Sequence, residues 1–196
     1  MRFEAGDQVG LTGPTGAGKT TLAKLLTGLY TPDAGGIRYD GRDLRELPAD
    51  ELRERLVLVP QRVHLIRGTL PDNLALVPGE PDEAGIRAAV RALGLTEWVD
   101  SLADGLRTPV GGAGGGLSAG EVQLVGLVRA ALVDPAVLVL DEASADLDPE
   151  TARRTETAIA GLRTGRTLIV VAHREATVAR LSRVVGLGTD GTAAGR

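Results

Sequence analysis

The sequence predicts an α/β fold, a parallel-sheet core with an inserted helical subdomain, and three observations predict it. Short β-rich runs alternate with helical stretches along the chain, the order expected of strand–helix–strand units. The runs from Ala136 to Leu140 and from Thr167 to Ala172 are apolar almost throughout, so both faces of those strands must be covered, as in a parallel sheet flanked by helices. Between about Thr69 and Leu106 the strand pattern stops. There Ile86, Ala89, Val90 and Leu93 recur three or four apart, the spacing of one helix face.

Taken in order, "DQVGLTG" predicts a first strand and "KTTLAKLLTGL" a helix, and "RLVLVPQ" predicts a second strand before the chain enters the helical subdomain, about residues 69–133. Inside that subdomain Thr108 to Glu121 reads "TPVGGAGGGLSAGE", six glycines in fourteen positions. Composition alone makes such a run a flexible linker. Its end argues otherwise. Ser118 followed three residues later by Glu121, just before "VQLVGLVRAALV", is the pattern in which serine and glutamate cap a helix start. "AVLVLDE", "RTLIVVAHR" and "RVVGLG" then predict the last core strands, and no tandem repeat is present.

With 196 residues, 43% of them hydrophobic and 24% charged, the chain can bury a core of one domain with a small subdomain. A net charge of -4 and a pI near 5.3 give no broad footprint for a phosphate backbone, so nucleic acid is not an expected partner. Cysteine is absent, which removes disulfides, thiolate metal sites and cysteine nucleophiles. No apolar run reaches the roughly 18 residues of a membrane span, and "MRFEAGDQ" lacks the apolar core of a signal peptide. Of 22 basic residues only Lys19 and Lys24 are lysines. Each retained lysine invites a reason.

Lys19 has one. Gly13, Pro14, Thr15, Gly16, Ala17, Gly18, Lys19 and Thr20 satisfy G-x-x-x-x-G-K-[ST] directly after a strand and at the start of a helix, with Thr21 following. Glycines let the backbone curl so that successive amides face phosphate oxygens, the helix N-terminus adds positive potential, and the lysine reaches the outer phosphates. The Thr20 hydroxyl suits magnesium. A glycine-rich turn with no ligand is the competing reading, because 27 residues are glycine. The flanking strand and helix and the scarce lysine favour the phosphate loop, and with it a P-loop NTPase core. "AVLVLDE" ends in adjacent carboxylates, Asp141 and Glu142; beside a phosphate loop the first can hold the magnesium shell and the second orient or deprotonate water. His173 follows "RTLIVVA" and falls at the same carboxyl edge of a parallel sheet, where ligands of open α/β sheets bind. His64 has no such placement.

Gly13 to Thr20, Gln61 in "VLVPQ", "LSAGE", "VLVLDE", "SADLD" and "VVAHR" together resemble the nucleotide-binding domain of an ATP-binding cassette (ABC) transporter of the exporter type, over nearly the whole chain. The resemblance implies ATP and Mg²⁺ as ligands, with nucleotide contacts from Gly13 to Thr21, Gln61, Ser118, Gly120 and Asp148, and metal contacts from Thr20, Gln61 and Asp141. It implies that Lys19 contacts the phosphates, Glu142 polarises the attacking water, His173 meets the γ-phosphate, and Gln61 links magnesium to the transmembrane interface. Ser118 and Gly120 would start a signature helix aimed at ATP on a partner domain. Thr108, Val110, Gly111 and Gly114 resemble the exporter segment that touches the transmembrane domain. The implied partners are a second nucleotide-binding domain, in a homo- or heterodimer, and a transmembrane domain, fused or separate, at the cytoplasmic face of the cell membrane. A soluble ABC ATPase outside transport and a nucleotide-binding regulatory module with little hydrolysis are the alternatives.

Departures from the family pattern carry expectations of their own. Ala119 replaces the first signature glycine and adds a methyl where a phosphate should come close, and Glu121 replaces the usual glutamine with a carboxylate that disfavours ATP unless it turns back to cap its helix, so the composite site should be weaker. Gly112 and Ala113 stand where exporters often have Glu-Arg, and Ala145 and Asp146 alter the loop before Leu147 and Asp148. None of the four aromatic residues, Phe3, Tyr30, Tyr39 and Trp98, falls at the adenine-stacking position roughly 25 residues before Lys19. The expectation is a domain incomplete at its N-terminus, binding ATP weakly and separating it poorly from GTP.

Overall fold

β-Branched and leucine residues form strands where both faces can be covered, and that condition is met at the centre of the chain's sheet. The computed structural model describes residues 1–111, 116–141, 147–172 and 181–188, and the backbone of 193–195. β1 is Gln8–Thr12 and α1 is Lys19–Leu26. A hairpin of β2 (Arg38–Tyr39) and β3 (Arg42–Asp43) precedes α2 (Ala49–Arg55) and β4 (Leu56–Val59). Then come β5 (Gly68–Thr69), α3 (Leu70–Leu74), α4 (Glu83–Ala92), α5 (Thr96–Ser101) and β6 (Pro109–Val110). The remaining elements are α6 (Ala119–Val133), β7 (Val137–Asp141), α7 (Pro149–Leu162), β8 (Thr167–Val171), β9 (Arg183–Leu187) and β10 (Ala193–Gly195).

Two compact units share these elements. The first takes residues 1–59, 135–142 and 165–196 and holds a six-stranded sheet in the order β10-β9-β1-β8-β7-β4. Five strands run parallel, and β10 pairs antiparallel with β9 at one edge. All five residues of β8 are buried, as its continuous apolar sequence predicts. Val9, Leu11, Ala23, Val139, Ile169, Val171 and Val185 form one core cluster, against which Leu22 and Leu26 of α1 pack. Parallel strands bring their carboxyl ends to one edge, and the register makes this specific: Val171 of β8 pairs with Leu11 on one side and with Asp141 on the other. The loop after β1 and the carboxylate ending β7 therefore leave the same edge.

The second unit takes residues 60–134 and 143–164. The α4 face expected from spacing is buried, with Ile86, Ala89, Val90 and Leu93 all in the core. α6 lies at the middle of the unit, touching α7, α4 and α3, and eight of its residues are buried. A helix so apolar all round belongs inside. The helical stretch expected over 69–133 is contained in this unit, which also includes α7. No helix among the described residues is long and apolar enough to cross a membrane.

Candidate nucleotide-binding site

Between β1 and α1 the chain curls through Gly13–Gly18, and its glycines serve two purposes. At Gly13, with φ of 150°, a Cβ would stand 2.5 Å from the carbonyl oxygen of Leu187 at the end of β9, so only glycine lets the loop pass so close. Gly16 and Gly18 adopt φ of 83° and 87° with open space around them; they are needed for the left-handed backbone rather than for room. Gly18 is the N-cap of α1 and supplies no side-chain acceptor. The first amides of the helix are thus left to an external acceptor, the arrangement that binds anions. Lys19 is only 5% exposed, and its Nζ donates to the carbonyls of Gly13 at 2.9 Å and Pro14 at 3.0 Å. The loop folds around its own ammonium. Lys24, by contrast, lies half-buried beside Tyr30, 4.9 Å from the ring centroid, a contact with no share in the loop.

Thr15, Gly16, Thr20 and Thr21 are exposed, whereas Asp141 is buried at 3% exposure. A threonine hydroxyl and a carboxylate are hard oxygen donors, the kind magnesium takes when phosphates and water fill its other positions. The donors present fit that ion. Ala172 donates its amide to the Leu11 carbonyl at 3.1 Å, carrying the sheet bonding to the residue before His173. Glu142, His173 and Gly114, with Gly112, Ala113, Ala145 and Asp146, lie outside the described residues.

The other expected site residues belong to the second unit. Gln61 follows Pro60, whose carbonyl accepts from Gln123 Nε2 at 3.0 Å. Further along the same segment, Arg129 donates to the carbonyls of His64 at 3.0 Å and Asn73 at 2.9 Å, and burial lowers the affinity of its guanidinium for the proton. The buried Asn73 accepts the Ile66 amide at 2.8 Å and donates to the Ile66 and Thr69 carbonyls, each at 3.0 Å. α6 thus holds the chain on both sides of Gln61, through Gln123 before it and Arg129 after it.

The glycine run begins as fixed structure. β6 pairs antiparallel with β5, and a Cβ on Gly111, at φ of 72°, would meet the Ile66 carbonyl oxygen at 2.1 Å. The linker reading fails for its first residues because the backbones lie too close for any side chain. At its other end Ser118 is exposed and caps α6: its amide donates to Glu121 Oε2 at 2.8 Å, and its Oγ accepts from the Glu121 amide at 3.3 Å. Glu121 does turn back onto its helix. Gly120 is buried, and a Cβ there would come within 2.5 Å of Thr151 Cγ2. Asp148 caps α7 by accepting from the amides of Glu150 at 3.1 Å and Thr151 at 3.0 Å. The Thr151 hydroxyl first, and then these amides, hold its carboxyl below the ordinary value. Gln123, Arg129 and Trp98 were not among the expected residues. Their partners are distant in sequence, so no local pattern marks them.

Residues 1–145 match the family described as ABC transporter. The chain belongs to the ABC transporter family. It is similar to the ATP-dependent lipid A-core flippase of Ralstonia nicotianae, 40% identical over 190 residues, covering 95% of this chain and 32% of that protein. The flippase of the same description from Dechloromonas aromatica is 41% identical over 189 residues, with the same coverage. Among solved structures, one described as a bacterial Atm1-family ABC exporter with ATP bound superimposes with a TM-score of 0.84 at 34% identity, covering 94% of this chain and 32% of that one. The chain spans about a third of the length of these relatives. The chain has the P-loop ATPase fold of an ABC nucleotide-binding domain.

Proposed function

We propose that this ABC domain binds Mg-ATP on Gly13–Thr21 and, paired head-to-tail with a second nucleotide-binding domain around two ATP, hydrolyses it to power a membrane exporter. The observation that carries the reading is the loop itself: left-handed glycines, an uncapped helix start and a buried lysine gathered at one sheet edge. ATP brings three phosphates to donors that the fold has already oriented. Lys19 exchanges its carbonyl partners for phosphate oxygens, and the amides of α1 bind the same anion. Thr20 and Asp141 would hold magnesium, which would supply charge neutralisation at the phosphates. Glu142 orients and polarises the attacking water, and His173 contacts the γ-phosphate, so that water displaces ADP from phosphorus and inorganic phosphate leaves.

Ser118 and Gly120 at the start of α6 complete the ATP site of the opposing domain, and Asp148 lies beside that interface by its position before α7. The segment from Thr108 to Gly111, with the Thr108 and Val110 side chains buried as its anchors and Gly111 exposed, would meet a transmembrane domain at the cytoplasmic face of the membrane. The exporter descriptions of the relatives support transport over a soluble role. Isothermal titration calorimetry tests the core of the reading: Lys19→Ala should reduce ATP binding below detection, since the loop loses its mobile cation at the outer phosphates. An unchanged affinity would remove the phosphate-loop assignment.

A further inference from the structure

Trp98 is the chain's only tryptophan. It lies in α5 at 1% exposure, and a buried indole N–H needs an acceptor. Its Nε1 donates to Glu121 Oε1 at 3.0 Å, while the other oxygen of the same carboxylate accepts the Ser118 amide at 2.8 Å. Two N–H donors from different elements therefore converge on one side chain, one donor per oxygen. A carboxylate satisfies both. The glutamine that the family signature carries here has a single acceptor oxygen, and its NH₂ would face one of the two donors. The departure at Glu121 thus has a counterpart 23 residues away at Trp98.

We infer that Trp98 and Glu121 act as a pair of positioning residues, fixing the start of α6 so that Ser118 is presented to the partner's ATP. This rests on the proposed head-to-tail reading. The charge expected to disfavour a neighbouring nucleotide is instead spent on two N–H groups of its own unit, while Ser118 and Ala119 remain exposed. Trp98 is held from its own side as well, its carbonyl accepting from Ser101 Oγ at 2.6 Å. Such a lock makes glutamine the wrong residue in this chain. It also makes the acceptable residue at 121 depend on the one at 98.

The test compares the full chain with Glu121→Gln, Trp98→Phe and the double variant, measuring ATP affinity, hydrolysis rate and the single indole N–H resonance. Glu121→Gln should move that resonance and slow hydrolysis about tenfold, the scale of one buried donor left without its acceptor, while ATP affinity stays within about twofold. Trp98→Phe removes the second donor, so glutamine can cap Ser118 alone and the double variant should regain most of the lost rate. A resonance that stays in place in Glu121→Gln, or a double variant in which the two losses simply add, would overturn the lock. Should phenylalanine at 98 prevent folding, the resonance and rate of Glu121→Gln decide alone. A wild-type chain that neither binds ATP nor hydrolyses it strikes at the proposed function instead, so the two failures are distinct.

Discussion

At Gly120 the side chain is absent because a neighbour occupies its place. A methyl there would come within 2.5 Å of Thr151 Cγ2 and 3.0 Å of Leu147 Cδ2, and Thr151 is both β-branched and buried, so it cannot rotate away cheaply. Family resemblance reads Gly120 as a residue near phosphate; the structure adds that it lets α6 and α7 approach. The two roles predict opposite responses in the unliganded protein. In an open helix Gly→Ala gains about 1 kcal/mol, whereas overpacking costs about 1–3 kcal/mol. Gly120→Ala should therefore lower stability in urea unfolding, and adding Thr151→Ser, which deletes the clashing methyl, should restore most of it. A stabilised Gly120→Ala would mean that the packing does not constrain this position.

Among the elements, those with a strong period or an adjacent cap could be read from sequence, and the others could not. α4 shows its apolar face at helical spacing, and α6 announces its start through Ser118 and Glu121. α7 hides its buried stripe, because two of its four buried residues are threonines, Thr151 and Thr155. β2, β3, β5 and β6 are two residues long, too short for alternation to register. α7 does carry a start signal, Asp148 before Pro149, and its carboxyl makes a pH prediction. Its folded value lies below the ordinary one, so its stabilisation is complete above the unfolded carboxylate range, near pH 4, and is lost as pH falls through the folded value. Asp148→Asn keeps a capping oxygen but does not titrate there. Its melting temperature should fall less than that of wild type between neutral and acid pH, by scanning calorimetry. Asp43, drawn down to about 2 by its bond to Arg45, titrates in both proteins and leaves the difference to Asp148. Parallel loss in the two proteins would show that the cap charge does not matter.

The molecule divides its proposed chemistry between units: the phosphate loop and Asp141 in the first, the exposed start of α6 in the second. The first was readable because Gly13 to Thr20 is contiguous and its motif has a mechanism. In the second the helix start was readable from Ser118 and Glu121, but its share in a nucleotide site only through resemblance, since the bonds that organise the unit link residues 63, 65 and 23 positions apart, Gln123 with Pro60, Arg129 with His64, and Trp98 with Glu121. A division of this kind is productive if two copies exchange halves, each α6 start completing the other's loop. Glu142→Gln keeps the side chain's shape and removes the charge proposed to polarise water, so hydrolysis should fall by about 10² or more while binding persists. ATP-loaded chains should then accumulate as a dimer in size-exclusion chromatography. In that background Ser118→Arg puts a long cation on the exposed helix start, far in sequence from the phosphate loop. Each chain should still bind ATP by calorimetry, yet elute as a monomer. Dimers that persist with arginine at 118 would place the contact elsewhere and end the exchange of halves through α6.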